Sequence, residues 1–404
     1  MAENLKQTRI EAIDFLRGVA VLGILAINVT GFWGPSLATF SPAIPRMEPG
    51  GAVWFGFAFV VFEGKMRALF SMLFGASMVL FARAAQRRGL DPGKAQVRRL
   101  VWLAIFGYAH YALLWWGDIL FPYALCGLCA LLLMRLSPAG LVAVALPIYL
   151  LSHGIDALLA LPGMATEQAV LSGIAAPADV AEQAGMMARI AASISSDLAV
   201  LDAGFVDAVR LRLANGAAEP LRVTLATFTE TLPLMLIGMA LLRSGFFTTW
   251  PKRSLGWIAA IGILGGAAAS VAALSWLAAH GWPPRAMFGA IESGMAFPHL
   301  AMAIGYAAGL LLLFPHLRGR AVGRALVAAG RCAFSNYIGT TVLMGAILSG
   351  WGLGLGPELP RAWLPALVLL GWFAMLAWPR WWLARFGQGP LEALWRKLAL
   401  PAHA

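Results

Sequence analysis

Charge is what this sequence has least of. Of its 404 residues, 12 % are Asp, Glu, Lys or Arg and 60 % are apolar. A soluble domain carries roughly twice that charge fraction, so a soluble fold is excluded. Acid is scarcer than base, 19 residues against 30, for a net charge of +11. That surplus does not mark a nucleic-acid binder, because the basic residues are not gathered into one patch. They alternate between loops, as the positive-inside rule requires of a membrane protein. Cysteine is nearly missing, at three residues. Cys126 and Cys129 sit three apart in one apolar run with no second pair, so they read as small apolar residues and no metal site is expected. Histidine is also sparse, with six in the chain and none before His110. No internal repeat is visible, which counts against the paired inverted halves of many transporters.

What the chain does have is long apolar runs. Segments of about 20 residues, enough to cross ~30 Å of hydrocarbon, recur near 12–33, 52–83, 98–116, 119–135, 139–160, 222–243, 255–279, 294–314, 329–350 and 362–384. The expected fold is an all-α polytopic transmembrane helix bundle of about ten crossings, with both termini cytoplasmic. The first run reads as an uncleaved helix, because Asp14 and Arg17 interrupt its entry and no small-residue cleavage site follows. The bundle divides into an N-terminal half (1–160), an extracytoplasmic amphipathic helical insertion (161–221), a C-terminal half (222–386) and an interfacial helix with a tail (387–404). The insertion reads as two or three helices lying on the bundle surface or as a lid over a site that faces outward.

Ionisable residues inside such runs cost ~2.5–3.5 kcal/mol each at mid-bilayer, which makes them functional candidates by default. Two stretches stand out. Run 52–83 is too long for one upright crossing and has FEGKMR at its middle. Gly64 offers a break there, Glu63 and Arg67 are four apart and can pair on one helix face, and a broken helix at that depth must face protein or a water-filled cavity. The second stretch is GYAHYALLWWGDILFPYALCGL, residues 107–128. His110 suits a general base in a low-dielectric cavity. Asp118 reads either as part of the same site or as a cap of the following helix. Along one helix the eight-residue separation is ~12 Å, so the two are expected to stay apart unless the chain folds back at Gly117. Tyr123 is expected nearer to His110 in depth. His153, Asp156, Glu230, Glu292 and His299 gather in the outer half and suggest a polar cavity opening outward.

RIEAIDFLRGVAVLGILAIN at the start, then GKMRALFSMLFGAS, the 107–128 stretch, MLIGMALLRSGFF, GRCAFSNY and GPLEALWRK follow one another in an order that resembles the YeiB family of bacterial inner-membrane proteins. The family in turn looks like a branch of the transmembrane acyltransferases, which include the heparan glucosaminide acetyltransferase. The shared element is the first helix, with Asp14, Arg17–Gly18 and a polar residue fourteen after the Asp, here Asn28. The resemblance implies a multi-pass protein of the bacterial inner membrane that moves an acyl group from cytoplasmic acyl-CoA to an extracytoplasmic or lipid-linked acceptor. It implies acyl-CoA as donor, membrane lipids as surroundings, and a small molecule or glycan as acceptor. Oligomeric state is left open, and transport or flipping of a small molecule or lipid is the alternative. On this reading His110, Asp118 and Tyr123 are the catalytic candidates. Asn28, Glu63, Lys65, Glu230, Asn336 and Tyr337 line the cavity, while Arg17, Arg98 and Arg99 hold the donor phosphates. The dense basic loop from Arg83 to Arg99 serves either that role or orientation against anionic lipid. Two departures are plain: no histidine precedes His110, and IGTT follows Asn336–Tyr337 where many relatives carry a Gln.

Overall fold

A computed structural model describes residues 2–48, 50–356 and 358–400. All regular structure among them is helical. Eight segments are long and apolar enough to cross a membrane. Seven coincide with expected spans: α1 (Ala2–Trp33), the broken pair α2 (Gly51–Val61) and α3 (Lys65–Arg87), α6 (Pro138–Leu171), α9 (Glu219–Arg243), α10 (Lys252–Ala279), α12 (Ala296–Leu317) and α15 (Leu364–Phe386). The eighth is α7 (Pro177–Asp202), inside the insertion expected to lie on the surface; its length and composition alone suffice for a span. Two expected spans form apolar helices too short to cross unaided, α5 (Leu120–Leu133) and α14 (Ala333–Leu348). Run 98–116 falls in α4 (Pro92–Leu113), a helix outside the eight.

Hydrogen bonds sort the connections into two ends. At the basic end, Arg243 donates to the carbonyl of Leu136, Arg331 to that of Gly387, and Trp395 of α16 (Pro390–Ala399) to that of Arg99. At the other end, α7 and α8 (Phe205–Gly216) form a cap. Asp197 accepts from the Ser36 backbone N–H at 2.8 Å and hydroxyl at 2.6 Å, Arg212 donates to the carbonyls of Ala112 and Leu114, and the Gly350 N–H to that of Leu201. The remaining pieces are short: 3₁₀ turns at Ser36–Thr39 and Arg361–Trp363, α11 (Pro284–Gly289), one π turn at 290–294, and α13 (Ala321–Arg331).

The helix break expected at Gly64 is present. Its φ of +71° is left-handed, cheap only for glycine, and an added Cβ would collide with the ring of His299. Breaking the helix strands the last carbonyls of α2. Lys65, with 0 % exposure, turns back and donates to the Phe59 carbonyl at 2.6 Å and to Ser270 Oγ at 3.2 Å. Its charge thus sits at the negative end of the α2 dipole.

Elsewhere the bundle closes through glycine. Gly18 and Gly330 let α1 and α13 approach backbone to backbone, and Gly75 and Gly238 do the same for α3 and α9. Lipid offers no hydrophobic drive for helix association, so such close packing must supply it. Gly238→Ala is therefore expected to cost about 1–3 kcal/mol by overpacking. Gly265→Ala, whose Cβ would meet open space, should melt at or above the parent temperature. Thermal melts of both variants in detergent check this; equal stability would refute the tight crossing.

Candidate functional site

A cavity of about 790 Å³ opens beside the break at residues 62–64. Asn28 reaches it from α1, Glu63 and Arg67 from the break, and Asp118 with Tyr123 from the α4–α5 hairpin. His153 and Asp156 come from α6, Glu230 from α9, and Arg285 with Glu292 from the segment before α12. Arg67 is the centre of its charge network. Its Nε donates to Glu230 at 3.1 Å, while its Nη1 stands 3.7 Å from Glu63. Tyr123 shares a 2.6 Å hydrogen bond with Ser71 and lies 3.4 Å from the Arg67 carbonyl. Glu292 lies outside the spanning helices. Burial pushes its carboxyl above the usual value, neighbouring Asp156 pushes further, and Arg67 opposes both.

The α4–α5 hairpin corrects the expected separation of His110 and Asp118. His110 Nδ1 and Asp118 Oδ1 are 2.8 Å apart, both buried. The helix ends at Leu113, and the turn folds back closely enough that a Cβ on Gly107 would meet the Phe121 backbone and Asp118 Oδ2. That glycine makes the fold-back possible. The other oxygen of Asp118 accepts the Phe121 N–H at 2.8 Å, the capping bond expected of it. Tyr337 pins the turn by donating to the Gly117 carbonyl at 3.2 Å and accepting from the Ile119 N–H at 3.3 Å.

A carboxylate only accepts, so the proton of the shared bond sits on His110 Nδ1. The lone pair of Nε2 then faces Thr341 Oγ1, 3.0 Å away. Thr341 lines a second cavity of about 340 Å³ beneath the cap, along with Trp115, Asp197 and Arg212. His110 itself is 2 % exposed and lines neither cavity. It is a bridge, with Asp118 on one cavity and Thr341 on the other.

Other expected site residues lie elsewhere. Lys65 caps α2 and does not reach the large cavity. Asn336 is a tie between helices, donating to the carbonyls of Ala329 and Met375 and accepting from Trp378 Nε1 at 2.9 Å. His299 is buried beside Gly64, and its Nε2 has no partner among the described residues. At the basic end, Arg17 pairs with Asp14 at 2.7 Å. The Arg99 guanidinium packs over Trp395 at 4.4 Å, Phe81 at 5.0 Å and Phe74 at 5.6 Å, which closes it off. Arg98 is exposed. Sequence reasoning passed over Thr341 and Arg285. The IGTT departure held the first in plain view; Arg285 carried no signal, because Glu167, Glu182 and Gln183 hold it in place from far along the chain.

The chain is 30 % identical to the uncharacterized protein YeiB of Escherichia coli K12 over 400 residues, 96 % of each. It belongs to the YeiB family. The uncharacterized protein YxaH of Bacillus subtilis is 29 % identical over 414 residues, 97 % of this chain and 94 % of its own. An uncharacterized 39.9 kDa protein in the amylase 3′ region of Bacillus acidopullulyticus matches 120 residues at 37 %, about a third of either chain. Residues 241–401 match the family model described as protein of unknown function, DUF418. In this YeiB-family chain that segment carries Glu292, Tyr337 and Thr341, whereas His110 and Asp118 precede it. No solved structure matches.

Proposed function

We propose that this YeiB-family protein is a membrane-embedded acyltransferase, taking an acyl group from acyl-CoA at the basic end and delivering it to an acceptor beneath the cap. The observation that carries the reading is the chain Asp118–His110–Thr341, with contacts of 2.8 and 3.0 Å. A carboxylate that fixes one imidazole nitrogen leaves the other ready to take a proton from a hydroxyl or amine. The Thr341 oxygen marks where that reacting atom sits. As the acceptor attacks the thioester carbonyl, its proton passes to His110 Nε2. The carbon–sulfur bond then breaks, and the coenzyme A thiolate leaves with that proton.

Donor capture falls to the basic end, where Arg98 is exposed and Arg17 of α1 partly so. From Lys94 to His110 the helix rises about 24 Å, so the acyl chain must enter along α4. On this reading the basic end faces the cytoplasm of a bacterial inner membrane and the cap faces outward, with about ten crossings. Solute transport is the second reading, favoured by the size and charge of the larger cavity. Purified protein in proteoliposomes, offered a panel of acyl-CoAs, is expected to release free CoA when an acceptor mixture is present. No release with any donor, together with uptake of a labelled solute, would move the assignment to transport.

A further inference from the structure

The 790 Å³ cavity is built for a ligand that the proton-transfer chain does not explain. Five carboxylates line it, Glu63, Asp118, Asp156, Glu230 and Glu292, against two guanidiniums, Arg67 and Arg285. Much of this charge is not settled internally. Arg285 is paired to Glu182 at 2.6 Å, outside the cavity, and Asp118 is committed to His110. Arg67 serves both Glu63 and Glu230. Lys65, in the same break, balances the second of these charges from outside the cavity. Asp156 and Glu292 keep theirs, with no ion pair or hydrogen bond to either side chain among the described residues.

Two nearly buried groups point the same way. Glu63 is 8 % exposed, yet its carboxylate receives no hydrogen bond among the described residues; its nearest cation is 3.7 Å off. His153 is 5 % exposed, and its Nδ1 donates to the Tyr149 carbonyl at 2.8 Å. That bond leaves Nε2 as an acceptor without a described partner on the cavity wall. Buried polar groups are ordinarily satisfied. Glu63 and His153 therefore leave acceptors in the cavity that suit a donor with several N–H groups and positive charge. Trp116, Phe40 and Phe288 supply aromatic faces that suit the same charge. A metal ion fits less well, because no three His, Cys, Asp or Glu among the described residues converge closely enough to hold one.

We infer that this cavity binds an organic cation carrying more than one protonated amine. The amines sit between Asp156, Glu292 and the Glu63 side of the Arg67 network, and His153 accepts one N–H. The inference is independent of acyl transfer, since none of these four residues belongs to the Asp118–His110–Thr341 chain.

The test is equilibrium dialysis of labelled spermidine against the purified full-length protein in a neutral detergent, with no acyl-CoA present. Saturable one-to-one binding is expected, weakening with added salt as exposed charge pairs are screened. The double variant Asp156→Asn/Glu292→Gln should bind at least tenfold more weakly. Triacetylspermidine, which keeps the backbone and loses the charge, should do the same against the parent. The ligand-free variant is expected to melt no lower than the parent, because like charges have been removed from one wall. Absence of saturable spermidine binding, equal binding of the triacetyl compound, or an unaltered double variant would each overturn the inference. Because no donor is present, these outcomes are unaffected by whether the acyltransferase reading stands.

Discussion

His110→Gln is expected to fold like the parent and to lose acyl-CoA-dependent turnover by about 10²–10⁴-fold. The glutamine amide can donate to Asp118 and its carbonyl can accept from Thr341, so the bond that closes the hairpin and the bond that ties it to α14 both have a replacement. What is lost is a nitrogen able to take a proton. Asp118→Asn makes the sharper experiment. Its carbonyl oxygen can keep the cap on the Phe121 N–H, so the turn survives. Its amide would then donate to His110 Nδ1, forcing the ring proton onto Nε2. The imidazole would face the acceptor as a donor, and turnover should fall by about 10³–10⁴-fold through the tautomer alone. Free CoA released per minute, beside a melting curve for each variant, is the measurement. Parental turnover in either variant would remove His110 from the chemistry. Thr341→Val then separates two routes. If an acceptor displaces Thr341, the variant keeps turning over; if Thr341 carries the acyl group, both turnover and labelled acyl-protein vanish.

The distance between His110 and Asp118 shows how far a sequence can be read here. Both residues stand out because titratable groups are rare in apolar runs, and that argument needs no structure. Their contact was illegible because helical spacing sets them ~12 Å apart, while the deciding feature is a glycine three residues earlier in the chain, Gly107, which admits the returning strand of backbone. A glycine in a membrane helix has many uses, and nothing local says which one applies. The break at Gly64 was legible for the opposite reason. An over-long apolar run with a glycine amid Glu63, Lys65 and Arg67 admits few solutions. Even so, the side each charge takes depends on partners distant in sequence. Lys65 finds the end of its own preceding helix and Ser270, while Arg67 finds Glu230. The number of crossings was the least legible, because α5 and α14 are apolar but short. Composition alone identifies them as membrane material without fixing whether they cross.

Arg361→Met is the substitution expected to damage the fold most. Arg361 is fully buried, and its guanidinium gathers the peptide oxygens of a loop with no regular structure beyond one 3₁₀ turn. Nη1 donates to the carbonyls of Ser41, Pro42 and Ile44 at 3.0–3.2 Å, and Nη2 to that of Ala38 at 2.6 Å. Trp33 lies against the same group at 5.3 Å, and Glu48 accepts the Arg361 backbone N–H at 2.7 Å. Methionine fills a similar volume but leaves the carbonyls of Ala38, Pro42 and Ile44 without donors, and that of Ser41 with only the Ile44 N–H at 3.4 Å. Each unsatisfied group costs ~1–3 kcal/mol, so a loss of about 3 kcal/mol or more is expected even if water reaches some of them. Arg361→Lys should rescue little, because a point charge cannot span four acceptors that a planar fork reaches together. Arg46→Ala, an exposed partner of Glu48 in the same loop, should change stability by less than about 0.5 kcal/mol. The effect should also reach the cavity, since Thr39 and Phe40 of that loop line its wall. Spermidine affinity is expected to fall in Arg361→Met at temperatures where the rest of the bundle is still folded. If the variant melted with the parent and bound spermidine equally, the loop would owe its shape to something other than Arg361.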